Sequence, residues 1–174
     1  QFGEVAGQNG KNNVGGNLIY FRGPLALTAY YQKVKVNNPL ELSPNNVQPA
    51  TNIPFASGMT AAEQTAWFVG GSYNFEVAKL FASYNQSTHD IDLKDKTFQL
   101  GTSIPLGSGA ILASWANTKR DGAAVGTELK RNTASLGYDY NLSKRTDIYT
   151  VYMYDKITQQ TTGNSFALGI RHRF

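Results

Sequence analysis

The sequence predicts an all-β fold, an antiparallel β-barrel that crosses a membrane with its strands. Three observations support this prediction. Segments with alternating apolar and polar residues recur along the 174-residue chain, and a period of two is typical of strands with one apolar face. The connections between these segments are alternately short and long, as in barrels with tight turns at one rim and loops at the other. The lengths of the segments also suit a bilayer, which a tilted strand crosses with roughly 9–11 residues.

Nine strands are predicted in order along the chain, each bounded by turn-forming or loop-forming residues. They cover residues 12–22, 25–36, 63–75, 77–86, 96–104, 110–118, 129–140, 146–156 and 164–174. Short turns are predicted at 23–24, around 76, at 105–109 and at 141–145, and longer loops at 37–62, 87–95, 119–128 and 157–163. The segment 37–62 contains four of the six prolines and is rich in asparagine, so we interpret it as a long external loop.

The two rows of side chains along a strand differ in chemistry. In residues 133–142 one row is Ala134, Leu136, Tyr138, Tyr140 and Leu142, and the other is Thr133, Ser135, Gly137 and Asp139. An apolar row with tyrosines suits lipid and its aromatic girdles, whereas the polar row suits a wet lumen. Backbone groups within a bilayer must all be paired, so such a sheet must close. Residues 146–156 carry aromatic residues in both rows, and the sequence does not orient them.

Composition excludes several classes of protein. The chain has no cysteine, which excludes disulfides and cysteine-ligated metals. No apolar run reaches the roughly 18 residues of a transmembrane helix. The net charge is +4, but the basic residues are spread along the chain, so a nucleic-acid site is not indicated.

Three stretches carry a resemblance to a known family. They are "QFGEVAG" at 1–7, "SLGYDYNLSKRTDIYTVY" at 135–152 and "FALGIRHRF" at 166–174. In these stretches the chain resembles the general diffusion porins of the Gram-negative outer membrane, of the beta-proteobacterial type, and the turn at 140–146 is the most specific match. The resemblance implies a 16-stranded barrel in the outer membrane, a homotrimer, and a constriction loop that folds into the pore.

Counting back from residue 174 as the end of strand 16 makes the nine segments strands 8–16. Residues 1–7 then end strand 7. The whole chain, 1–174, is expected to be the C-terminal part of a single porin barrel domain, with 37–62 as an external loop. Because bacterial single-chain barrels use an even number of strands, we expect the sequence to be incomplete.

The resemblance implies a channel for passive diffusion of small hydrophilic solutes and ions, without enzymatic activity or a cofactor. The residues assigned to the pore lining are Lys79, Ser83, Asn85, Lys96, Thr97, Gln99, Arg131, Thr133, Ser135, Arg171 and Arg173. With the net charge of +4, these basic residues predict a preference for anions. Four other bases can equally well be interpreted as charges at the rim of the barrel that contact lipopolysaccharide or water. They are Lys33, Lys35, Lys119 and Arg120.

The last strand also carries a candidate assembly signal. Its apolar row is Phe166, Leu168, Ile170 and Phe174, with His172 in the same row. In outer-membrane barrels, which this terminus resembles, such a row is expected to be recognised by the barrel assembly machinery. The expected partners are therefore outer-membrane lipid, lipopolysaccharide, further copies of the chain and this machinery.

Other interpretations remain open at this point. The chain could be a small eight-stranded barrel that anchors without an open pore, with residues 1–23 as an arm. An outer-membrane enzyme could use His89 with Asp90 and Asp92, although no catalytic residue is assigned. Asp90, Asp92 and Asp95 could hold calcium, but the pattern lacks the glycine and distal glutamate of a recognised loop. A soluble all-β lectin is the last alternative.

Overall fold

The computed structural model describes residues 2–4, 12–35, 63–90, 92–122 and 128–174. They form one sheet of ten strands. The strands are β1 (Phe2–Glu4), β2 (Asn12–Arg22), β3 (Leu25–Lys35), β4 (Glu63–Asn74), β5 (Lys79–His89), β6 (Leu93–Leu106), β7 (Gly109–Asp121), β8 (Leu129–Asn141), β9 (Thr146–Ile157) and β10 (Gly163–His172). The predicted all-β fold is confirmed: β2 to β10 are the nine predicted strands, and β1 lies within residues 1–7.

Every strand pairs antiparallel with its sequence neighbour, so the sheet runs in order from β1 to β10. Within the described residues, β1 and β10 are the two edges and do not pair with each other. The sheet is therefore open, as a part of a larger barrel would be.

Tight turns join strands at one end of the sheet, which we call the turn end. They fall at 23–24, 75–78, 107–108 and 142–145. Gly23 and Gly107 adopt φ of 55° and 57°, the left-handed conformation that glycine reaches without a steric penalty. The opposite end, the loop end, carries the connections at 90–92, 122–128 and 158–162. The predicted external loop 37–62 lies outside the described residues.

The strands continue further towards the loop end than the sequence predicts. β5 extends to His89, β6 already begins at Leu93, and β7 continues to Asp121. The predicted loops 87–95 and 119–128 were therefore too long, and Lys119 and Arg120 lie within a strand. Apart from Leu93, these residues are polar or charged, so their alternation carries no hydrophobic signal, yet backbone pairing continues through them from Lys94 opposite Asp121 onwards.

The described part of the sheet has almost no hydrophobic core. Leu93 and Ile157 are its only buried hydrophobic side chains, whereas Leu18 and Leu168 are 71% and 74% exposed. A soluble protein rarely exposes a contiguous apolar surface of this extent. Within the described residues, no helix has the length and apolarity needed to cross a membrane.

The register separates the side chains into two faces. We call the face that carries Thr97, Gln99 and Ser114 the polar face and the opposite face the apolar face. Aromatic pairs lie on the apolar face towards both ends, with Trp67 and Tyr84 at 5.1 Å between ring centroids and Tyr138 and Tyr140 at 6.3 Å. Aromatic residues at two levels with aliphatic residues between them match the girdles of a membrane barrel.

Candidate functional site

Ten of the eleven residues assigned to the pore lining share the polar face. Cross-strand pairing places them in rows, in which Asn85 lies opposite Thr97, and Ser83 lies opposite Gln99. The rows continue onto β8, where Thr118 of β7 faces Arg131 and Ser114 faces Ser135. The ten residues are Lys79, Ser83, Asn85, Thr97, Gln99, Arg131, Thr133, Ser135, Arg171 and Arg173.

Lys96 is the exception and lies on the apolar face. Adjacent residues of a strand point to opposite faces, so Lys96 cannot share a face with Thr97. Its Nζ lies 3.1 Å from the Oδ2 of Asp121, which is also on the apolar face. The register therefore separates Lys96 from the other ten residues.

The polar face is concave and carries an open pocket of about 790 Å³. Most of its lining is apolar and includes an apolar patch, with small polar groups such as Ser83, Gln99 and Ser114 beside it. The patch consists of Ile19, Phe21, Phe68, Phe81 and Leu112. The Nζ of Lys79 lies 5.0 Å from the centroid of the Phe81 ring, a distance at which a cation and a ring attract each other.

Arg131 on the polar face lies next to an acid, Asp155, that the alternation of residues did not assign to this face. The Nε of Arg131 donates to both oxygens of Asp155, at 2.8 and 3.1 Å. The hydroxyl of Thr133 donates to the Oδ1 of the same carboxylate at 2.6 Å. Much of the positive charge of Arg131 is therefore compensated within the wall itself.

A second charge cluster joins β8, β9 and β10 near the turn end. Arg171 donates from Nη2 to the Oδ2 of Asp139 at 2.9 Å and from Nε to the Oδ2 of Asp147 at 3.0 Å. The Nη2 of Arg173 lies 3.7 Å from the same oxygen of Asp147. Asp147 is only 2% exposed, so the two arginines cover it.

These contacts also orient β9, which the sequence left unassigned. Asp147, Tyr149 and Asp155 lie on the polar face, and the aromatic ring of Tyr149 occupies the space above Gly169 of β10. A β-carbon at position 169 would overlap that ring. A bulky inward side chain on β9 is thus accommodated by the absence of a side chain on its neighbour.

A buried ion pair lies on the polar face at the loop end. Asp95 and Arg120 are direct register partners, and the Nε and Nη2 of Arg120 donate to the two carboxylate oxygens at 2.6 Å each. The side chain of Arg120 is 0% exposed and that of Asp95 is 7% exposed. Thr97 and Thr118 share a hydrogen bond of 3.0 Å beside this pair.

The contacts of His89 and Asp95 concern the two alternatives for residues 89–95, an enzyme site and a calcium site. Asp95 uses both oxygens for Arg120, and the described residues contain no group of three or more potential metal ligands. His89 ends β5 on the polar face, and its Nε2 is buried without a hydrogen-bond partner in the described structure. Asp90 and Asp92 flank the connection between β5 and β6.

The four residues of the candidate assembly signal lie on the apolar face. Phe166, Leu168 and Ile170 are 72%, 74% and 69% exposed. Phe174 follows β10, is fully exposed, and makes an edge contact with His172 at 5.0 Å between ring centroids. His172 in turn shares a hydrogen bond of 2.8 Å with the hydroxyl of Thr146. The row is continuous with the apolar face of the sheet.

A meander with an apolar belt outside and a polar, concave face inside is the architecture of a barrel in a membrane. The model of a protein family described as Gram-negative porin matches residues 2–160. The chain belongs to the Gram-negative porin family. The resemblance that the sequence suggested is thereby confirmed.

Two curated relatives of this porin agree with that assignment. An outer membrane porin protein of Bordetella pertussis is 29% identical over 189 residues, which cover 90% of this chain and 45% of the relative. Outer membrane porin protein 32 of Delftia acidovorans is 36% identical over 118 residues, which cover 65% of this chain and 31% of the relative. This porin chain thus spans less than half of the length of these relatives, and the family places it in the outer membrane, as predicted.

Solved structures share the fold. A loop-deletion mutant of OmpT, an outer membrane protein of Vibrio cholerae, superposes with a TM-score of 0.77 at 15% identity, covering 98% of this porin chain and 56% of the OmpT chain. An anion-selective porin from Comamonas acidovorans superposes with a TM-score of 0.68 at 24% identity, covering 94% of this chain and 49% of that porin. The open sheet thus corresponds to about half of a larger barrel chain.

Proposed function

We propose that the polar face of this porin lines a water-filled channel, through which small hydrophilic solutes and ions diffuse passively across the outer membrane. The observation that carries the proposal is the separation of the sheet into an apolar face with aromatic residues at two levels and a concave polar face. In barrels of this kind the lumen-facing residues contact water and the outward residues contact lipid. Asn85, Thr97 and Gln99 would then contact the permeating solute.

We further propose that the ten strands belong to a 16-stranded barrel, with β2 to β10 as strands 8–16 and residues 1–174 as the C-terminal part of its single domain. The open sheet and the partial coverage of larger porins support this proposal over an eight-stranded anchor. A homotrimer is proposed by analogy, since one Vibrio cholerae OmpT structure of this fold is described as the trimer form.

Planar bilayer recordings test the channel. The purified porin should produce stepwise conductance increments that rise in proportion to the conductivity of the potassium chloride solution. That proportionality is the behaviour of a water-filled pore without a saturable binding step. Protein that inserts into the bilayer without conductance steps would support an anchor instead.

We propose a weak preference for anions. The strand residues that the structure describes on the polar face include the bases Lys79, Arg120, Arg131 and Arg171 and the acids Asp95, Asp139, Asp147 and Asp155. Arg173, directly after β10, adds one more positive charge. Because most of these charges are paired, the excess is small. The anion selectivity stated for the Comamonas acidovorans porin is consistent with this direction.

Lys79 should contribute most to that preference. It is exposed and forms no ion pair with the described residues, so its charge acts on the lumen without a neutralising partner. At low salt, Lys79→Gln should shift the reversal potential in a potassium chloride gradient towards the value of a non-selective pore. At about 1 M salt, where the Debye length is about 3 Å, the reversal potentials of the variant and the unmodified porin should become equal.

Lys35→Gln is the matched control, since it removes the same charge from the apolar face at the loop end of β3. It should leave the reversal potential unchanged. A clear cation preference of the unmodified porin at low salt, or an equal shift in both variants, would contradict the assignment.

A further inference from the structure

Three lysines lie directly opposite one another on three consecutive strands. Lys96 of β6 is the register partner of Lys119 of β7, and Lys119 is the register partner of Lys130 of β8. All three point to the apolar face at the loop end. Neighbouring strands are only about 4.7–4.9 Å apart, and like charges directly opposite one another destabilise a sheet. We call these three residues the lysine row.

Among the described residues, the acids around the lysine row form ion pairs only with its two ends. Lys96 pairs with Asp121 at 3.1 Å, and Lys130 pairs with Glu128 at 2.8 Å. Lys119, in the centre, is exposed and forms no ion pair with the described residues. Lys94 and Lys156 lie on the same face beside the row. The patch therefore keeps an excess of positive charge.

The lysine row lies at the height where a membrane barrel meets lipid headgroups. One step nearer the turn end on the same face, Asn117 donates to the Oδ1 of Asn132 at 2.8 Å. Near it, Phe98 and Trp115 form an edge contact at 6.1 Å, and the aliphatic side chains of Leu100 and Leu136 follow. Aromatic residues of this kind mark the interface between the apolar band and the polar headgroups.

We propose that the lysine row docks the phosphate groups of an anionic lipid in the outer leaflet of the membrane. Lysine is a compact point charge with three donors, so three lysines in line suit a headgroup that carries more than one phosphate. The repulsion within the row is relieved when the phosphates are bound. The acyl chains of the same lipid would lie along the aliphatic surface nearer the turn end, which a free phosphate ion could not exploit.

Binding of fluorescent bis-phosphorylated lipid A tests the proposal. The porin is purified from outer membranes in detergent with a chelator, and its affinity is compared with that of Lys96→Gln/Lys119→Gln/Lys130→Gln. At about fivefold per lysine near an anionic headgroup, the triple variant should bind on the order of 100-fold more weakly. Equal affinity of the two proteins would overturn the proposal.

A charge-matched control and two further probes identify the ligand. Arg22→Gln/Lys144→Gln/Arg145→Gln removes the same charge at the turn end and should bind lipid A as the unmodified porin does. Lipid A without its phosphates should not distinguish the triple variant from the unmodified porin. An equal loss in the control, or displacement of lipid A by millimolar inorganic phosphate, would overturn the assignment of this row to a lipid.

Thermal unfolding without lipid A separates docking from a structural role. Lys119→Gln removes the central repulsion and should unfold at the same temperature as the unmodified porin or higher. A lower unfolding temperature with unchanged lipid A affinity would show that the row is structural and would overturn the proposal. The inference depends on the apolar face contacting lipid, and since no step measures conductance, its failure would leave the channel proposal standing.

Discussion

Replacing Arg120 by alanine is expected to destabilise the porin by about 3–5 kcal/mol, the range for breaking a buried ion pair. The carboxylate of Asp95, whose side chain is 7% exposed, would lose both of its 2.6 Å hydrogen bonds from the guanidinium. An uncompensated buried charge is unfavourable because the low-dielectric surroundings cannot replace its hydration. Guanidinium-induced unfolding in detergent, followed by tryptophan fluorescence, measures the free energy of unfolding.

Two controls separate the buried charge from the loss of a side chain. The double variant Asp95→Leu/Arg120→Met removes both charges and should recover much of the stability, because apolar residues of similar volume often replace a buried pair without loss. Lys33→Ala breaks an exposed pair with Glu63 and should change stability little. A loss below about 1 kcal/mol for Arg120→Ala, the range of an exposed pair, would show that the pair is solvated.

The strands themselves could be predicted because their hydrophobic alternation is strong. Residues 129–140 were predicted as a strand, and β8 covers Leu129–Asn141. In this segment Leu136 and Tyr138 alternate with Ser135 and Gly137, so one row faces lipid and the other faces the concave side. Residues 93–95 and 119–121 give no such signal, and their strand conformation follows from pairing between β6 and β7.

Cross-strand partners could not be predicted, because they depend on the register between strands. The alternation of residues assigns Arg131 and Asp155 each to one of the two rows of its strand. It does not show that the Nε of Arg131 lies 2.8 Å from the Oδ1 of Asp155. β9 carries aromatic residues in both rows, and its orientation is established by the contacts of Asp147 with Arg171 and Arg173. Lys96 was assigned to the pore lining together with its neighbour Thr97, but adjacent residues of a strand point to opposite faces, and Lys96 lies on the apolar face.

Pairing also changes what the net charge implies for selectivity. From the sequence, five bases assigned to the pore lining and a net charge of +4 predict a lumen that favours anions. The structure places Asp155 beside Arg131 and Asp147 beside Arg171, so the field of these bases is largely neutralised where a solute would pass. A single unpaired residue such as Lys79 can therefore influence selectivity more than the formal charge of +4 suggests.

Deletion of Phe174 is expected to reduce insertion of the porin into the outer membrane strongly while leaving the stability of the refolded barrel almost unchanged. Phe174 is fully exposed and has a ring contact only with His172 among the described aromatic side chains. Losing so little packing should change the free energy of unfolding by no more than about 0.5 kcal/mol, the range of ordinary surface changes. A large effect in cells must then arise from recognition, which we expect to involve the barrel assembly machinery.

The measurement compares the amount of porin in purified outer membranes with the unfolding free energy of the same variants refolded in detergent. Phe75→Ala is the matched control, because Phe75 is an exposed aromatic residue at the same end of the sheet, 4.5 Å from Tyr73 between ring centroids. It should insert normally, since Phe75 lies outside the row of Phe166, Leu168, Ile170 and Phe174. Normal insertion of the deletion variant, or a loss of stability that matches its loss of insertion, would show that Phe174 has a structural role and is not part of a recognition signal.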